Sequence, residues 1–205
     1  MKFSYKDPAT FALIFSNILT IGLAILFNWS FITIIWSYWL QSVIIGFFNF
    51  IKILTLKDFS TSGFKINGRN VSPSALIKIF TAFFFAFHYG GFHLAYAFFL
   101  GYFTVFLNTT SISITCVLLA GVVFFVNHLF SFLYYRNKQP TKKPNIGQVM
   151  FTPYARIIPM HLTIMFGGIF LIAGDSHTLV LVFFLILKTV ADIIMHRIEH
   201  RGQQT

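Results

Sequence analysis

The chain predicts an all-α, polytopic membrane bundle of six transmembrane helices, with both termini on the cytoplasmic side. Two observations carry that expectation. Runs rich in Phe, Leu and Ile cover about 11–27, 31–56, 76–107, 112–135, 153–174 and 178–198, each near the ~20 residues that cross a bilayer core. Lysine and arginine keep to alternate connections: Lys57, Lys65 and Arg69 in one, Arg136, Lys138, Lys142 and Lys143 in another, and both termini. The intervening turns, Asn28-Trp29-Ser30, Asn108 to Ser113 and Gly174 to His177, have neither. Short basic loops stay in the cytoplasm, so the pattern reads as an inner-membrane protein with N-in/C-in topology.

With 57% hydrophobic and only 10% charged residues among 205, the six spans use nearly the whole chain, leaving one integral membrane domain over 1–205. The net charge of +10 sits in juxtamembrane loops. There it faces anionic lipid headgroups at the cytoplasmic surface, at roughly 1 kcal/mol per residue, rather than nucleic acid. Cys116 is the single cysteine and lies in an apolar run, so it reads as a packed hydrophobe. Self-association into a homo-oligomer stays open.

The first run is nearly featureless. The second carries Trp36, Tyr38, Trp39, Gln41, Asn49 and Lys52, the aromatics forming an interfacial belt and Lys52 snorkelling inward. Ser72-Pro73 reads as a cap and first-turn proline opening the third run. That run is too long for a straight crossing. It must tilt, project from the bilayer, or break at Gly90-Gly91, two glycines that suit a hinge or close helix packing. The fifth run opens on Pro153. The sixth ends in a basic, His-containing stretch.

Ionisable residues inside spans are costly and face a cavity or a partner. Counted from the inner boundary at 1.5 Å per residue, His161 and Asp192 lie roughly 7 Å deep, His128 roughly 12 Å and His88 roughly 15 Å. Asn49 falls in the same inner half. Lys188, Asp192, His196 and His200 recur every fourth residue and form one stripe on the sixth helix. His161, Asp192, His196 and His88 therefore make a candidate divalent-metal set, best suited to zinc. Arg156 beside Pro159, with Lys188, is a candidate anion-binding pair. Of His88 and His93, which diverge by about 140° on a helix, His88 is the one that points into this layer. A haem held by a pair such as His88 or His128 with His161 or His196 also stays open.

Three functions fit these residues. A metal-dependent membrane hydrolase would act on a lipid-like substrate held by Arg156. An ion- or proton-linked transporter or channel would use Asp192, with Gly90-Gly91 as hinge. In a non-enzymatic scaffold, Asp192 would merely pair with Lys188 or Arg156 in a structural charge network. No GxSG or HExxH motif is present.

Tyr38-Trp39-Leu40-Gln41, Gly46-Phe47-Phe48-Asn49, His88-Tyr89-Gly90-Gly91-Phe92, Pro153-Tyr154-Ala155-Arg156 with His161, and Lys188-Thr189 leading to Asp192 and His196 together resemble a prokaryotic family. It comprises small polytopic membrane proteins catalogued as domain of unknown function 6498. The resemblance brings no activity. It implies that Arg156, His161, Asp192, His88 and the two glycines occupy motif positions, and that Gln41 stands where the family carries an acidic residue.

Overall fold

The computed structural model describes residues 26–106, 112–136 and 143–158, with 15, 19, 20, 22–24 and 162 in addition. It is mostly helical. Three helices, α1 (Phe31–Thr55), α2 (Ala75–Phe106) and α3 (Ile114–Arg136), are each long and apolar enough to cross a membrane. They are the second, third and fourth apolar runs of the sequence.

Each helix starts on a polar cap. Asn28 adopts φ 47° in the turn before α1, and Ser30 then accepts the Thr33 N–H at 3.3 Å. At α2 the cap is Ser74, which accepts from Ile77 N–H at 3.2 Å, rather than the expected Ser72-Pro73. Pro73 lies outside the helix because Ser74 supplies the missing acceptor. Ser113 accepts the Cys116 N–H at 3.4 Å at the start of α3. α2 runs unbroken through Gly90 and Gly91 for all 32 residues.

Cross-links set the helix directions. The Trp36 indole donates to Thr104 Oγ1 at 3.1 Å, and the Trp39 indole to the His93 carbonyl at 2.9 Å. Lys78 Nζ donates to the Leu56 carbonyl at 3.1 Å, covering an acceptor just past the end of α1. α2 is thus antiparallel to α1. α3 is parallel to it, since Ser113 N–H donates to Thr33 Oγ1 while Phe48 stacks near Phe125 and Phe132 further along. α1 lies between the other two and is buried around most of its circumference. α2 and α3 leave Phe83, Phe87, Leu94, Phe98, Leu118, Val122 and Val126 exposed on their outer sides, a surface suited to lipid.

The two ends differ in charge. Lys52, Lys57, Lys65, Arg69, Lys78, Arg136 and Lys143 all gather where α1 and α3 end and α2 begins. Asp58 is the one acidic side chain among the described residues. The loop there folds into a short hairpin, β1 (Lys65–Ile66) against β2 (Arg69–Asn70). Asn67 and Gly68 turn it, with φ 48° and 75°, the pair of positive angles a two-residue type I′ turn requires.

The basic connection after α3 is partly built into this base. Ser60 pairs with Asn145, donating to the Pro144 carbonyl at 2.9 Å and accepting from Ile146 N–H at 3.0 Å. Asn145 also caps α4 (Ile146–Phe151) through Gln148 N–H and donates to the Ser62 carbonyl at 2.7 Å. Ile146 and Met150 are buried. A 3-10 turn, Thr152–Arg156, follows with Pro153 in its opening positions. Asn145→Ala removes the cap and the Ser62 bond together. Its thermal midpoint should fall by the equivalent of about 1–2 kcal/mol, while Ser72→Ala leaves the midpoint unchanged.

Candidate functional site

Helical structure on the way into the fifth apolar run starts at Ile146, ahead of Pro153. The chain then climbs alongside α2. Gly147 abuts Phe64 in the basic loop, and Tyr154 reaches Phe85 and Tyr89 at ring-centroid distances of 5.9 and 5.5 Å. Arg156 is the last residue of the 3-10 turn.

His88 meets this turn. Its Nδ1 is 2.9 Å from Tyr154 Oη, and its ring stacks on Phe84 at 5.5 Å and meets Phe92 edge-on at 5.1 Å. The structure thus brings one predicted ligand to the chain segment that leads to His161. His161, Lys188, Asp192 and His196 lie outside the described residues. Among the described residues no three His, Cys, Asp or Glu side chains group in a way that holds a metal. His128 lies across the bundle on α3, its ring 6.4 Å from Phe48. Gly90 and Gly91 are exposed, and a Cβ added to either meets nothing within 4 Å.

The close helix approaches are elsewhere. A Cβ at Gly46 would lie 2.5 Å from Tyr89 Cε1, and one at Gly121 2.5 Å from Leu40 Cδ2. Gly46 makes room for a polar cluster that sequence reasoning passed over. Ser42 Oγ is 2.8 Å from His93 Nε2 and 2.9 Å from Tyr89 Oη. Tyr89 Oη also donates to the Ser42 carbonyl at 3.0 Å. His93 Nδ1 is 2.9 Å from the Tyr89 carbonyl. A carbonyl only accepts, so Nδ1 carries the proton and Nε2 accepts from the serine hydroxyl.

That is the tautomer of a serine–histidine general-base pair, but the pair is enclosed. Ser42, Tyr89 and His93 are each no more than 5% exposed, and they bond to one another. The arrangement ties α1 to α2. A signal for it exists in the sequence: Ser42 and Gly46 are one turn apart, as are Tyr89 and His93, so a small and polar face meets an aromatic and polar one.

A bundle with three membrane-length helices, polar ties between them and one basic end defines a membrane-associated helical protein. The chain belongs to a family of unknown function, DUF6498, whose model matches residues 2–205. No curated protein and no solved structure matches it.

Proposed function

We propose that the chain is a six-span integral protein of the inner membrane, both termini cytoplasmic, that uses a divalent metal to hydrolyse a lipid-like substrate in the cytoplasmic half of the bundle. The orientation rests on the basic end shared by α1, α2 and α3. The observation that carries the site is the His88–Tyr154 bond. A second partner on one ring nitrogen is how proteins orient a histidine ligand. With the proton on Nδ1 donated to Tyr154, His88 Nε2 presents its lone pair. His161, Asp192 and His196 complete the set, and zinc suits three nitrogens and one oxygen.

A metal bound there supplies Lewis acidity and a water of lowered pKa. The chain's own part is to place the substrate: Arg156 offers a bidentate fork to a phosphate or carboxylate, and Lys188 adds a second positive charge. The basic end holds anionic headgroups nearby.

Elemental analysis of protein purified without an affinity-column metal tests this. Stoichiometric zinc, manganese or iron is expected in the wild type, reduced in His88→Ala and absent from Asp192→Ala/His196→Ala. No metal in the wild type, even after zinc loading, overturns the reading. The enclosed Ser42–Tyr89–His93 cluster favours a second reading, a scaffold whose intramembrane polar groups serve packing alone. In that case Asp192→Ala and His161→Ala lower thermal stability with no metal found.

A further inference from the structure

Along α1, the side that meets α3 is polar for half its length. Thr33, Ser37 and Gln41 recur every fourth residue and so follow one side of the helix. The Ser113 N–H bond to Thr33 turns that side toward the start of α3. Phe48, seven residues past Gln41 and at nearly the same azimuth, packs against Phe125 and Phe132 at 5.3 and 5.7 Å. Gln41 therefore faces α3. On α3 the buried positions are Ala120, Gly121, Phe124 and Asn127, and the Phe124 ring lies 6.4 Å from that of Tyr38 on α1. Asn127 shares that inward side.

Ser37 bonds to the Thr33 carbonyl at 2.8 Å. The amides further in do not find partners. Gln41 Nε2 and both amide atoms of Asn127 are buried with no hydrogen bond, as is Asn49 Nδ2 at the inner end of the same stretch. Gln41 is 3% exposed, Asn127 7%. Hydrocarbon offers such groups nothing, and each one left unpaired costs several kcal/mol. Native proteins leave few, and where they occur, water or a ligand is the usual occupant.

Their spacing suits such an occupant. The contacts of Thr33 with Ser113, Leu40 with Gly121 and Phe48 with His128 put α1 and α3 in parallel register. In that register Asn127 falls between the levels of Gln41 and Asn49, which are about 12 Å apart along the axis. Arg156 aside, none of the described Asp, Glu, Lys or Arg side chains is buried. An amide donates and accepts hydrogen bonds without carrying charge.

We infer that α1 and α3 enclose a hydrated seam at Gln41 and Asn127, which binds small uncharged solutes able both to donate and to accept hydrogen bonds. Water is the smallest of them. The seam is separate from the proposed metal site and stands or falls without it.

Radiolytic hydroxyl-radical labelling of the wild type in liposomes tests this without altering the chain. Phe124 and Phe85 have the same chemistry and equal burial, 0% and 1%, but only Phe124 borders the seam. Faster oxidation of Phe124 than of Phe85 is expected, and equal rates overturn the inference. A second measurement uses a Cys116→Ala background and a water-soluble methanethiosulfonate reagent. Only a hydrated thiol ionises and reacts, so Asn127→Cys and Gln41→Cys should react about tenfold or more faster than lipid-facing Val122→Cys. Rates no faster than Val122→Cys again overturn it.

Discussion

Gly46→Val should unfold well below the wild type, while Gly121→Ala should stay close to it, although an added Cβ meets a neighbour at 2.5 Å in both places. The difference lies in what has to move. At Gly46 the neighbour is the Tyr89 ring, with Cε1 at 2.5 Å and Cδ1 at 2.8 Å. That ring is pinned by its hydroxyl on Ser42 and by Phe85, stacked on it at 4.9 Å. It cannot turn aside without breaking the polar tie, so overpacking by a branched side chain should cost about 3 kcal/mol. At Gly121 the neighbour is Leu40 Cδ2, the end of a flexible side chain with its Cγ at 3.4 Å. A rotamer change relieves the clash, and alanine's better helix propensity, worth up to about 1 kcal/mol, offsets the rest. Gly90→Ala, with open space around it, should gain about 0.5–1 kcal/mol. Thermal midpoints from size-exclusion melts would order the three. A Gly46→Val midpoint equal to that of Gly121→Ala would show that Tyr89 is not held.

His93→Phe is the second large effect. Phenylalanine keeps most of the ring volume and removes both nitrogens. Ser42 then loses the acceptor for its hydroxyl, and the Tyr89 carbonyl loses the ring N–H. Ser42 keeps only Tyr89 Oη and the Tyr89 carbonyl falls back on its helical partner, so the loss of both ring bonds in a buried cluster should cost about 2–3 kcal/mol. Ser42→Ala alone should cost less, about 1 kcal/mol, because Tyr89 keeps its bond to the residue 42 carbonyl. In the double variant the two costs should not add, because the shared bond is lost only once. Full additivity would mean that the serine and histidine do not act through each other.

The apolar runs made α1, α2 and α3 legible because side chains facing lipid and core alike must be hydrophobic. Run length alone could not choose among tilt, projection and breakage for the third run, and the unbroken α2 settles the last of these. The entry to the fifth run was obscured by Pro153, which reads as a start. A 3-10 turn accommodates proline in its opening positions, where an amide proton is not needed, and the true cap lies earlier. Its signal was present as Asn145 followed three residues on by Gln148, the spacing of a capping box. Depth counting along the helix favours His88, which falls in the inner-half layer of ionisable residues. His93 is the more buried of the two, and its partner Ser42 carries no charge or motif to mark it. Gln41 and Asn127 look like ordinary polar residues until burial shows that they lack partners. Pairings between runs depend on helix azimuth, which period counting leaves undetermined when nearly every residue is apolar.

The pairing of Ser60 with Asn145 joins two stretches separated by two membrane-length helices. While the protein is being made, the loop after α1 emerges long before its partner segment exists. Ser60, Ser62 and the Phe64 ring must wait with their bonds unmade until α2 and α3 are in place and translation has passed residue 147. The base of the bundle thus closes only after both intervening helices have been made, which ties the loop after α1 to the far end of a long stretch of chain.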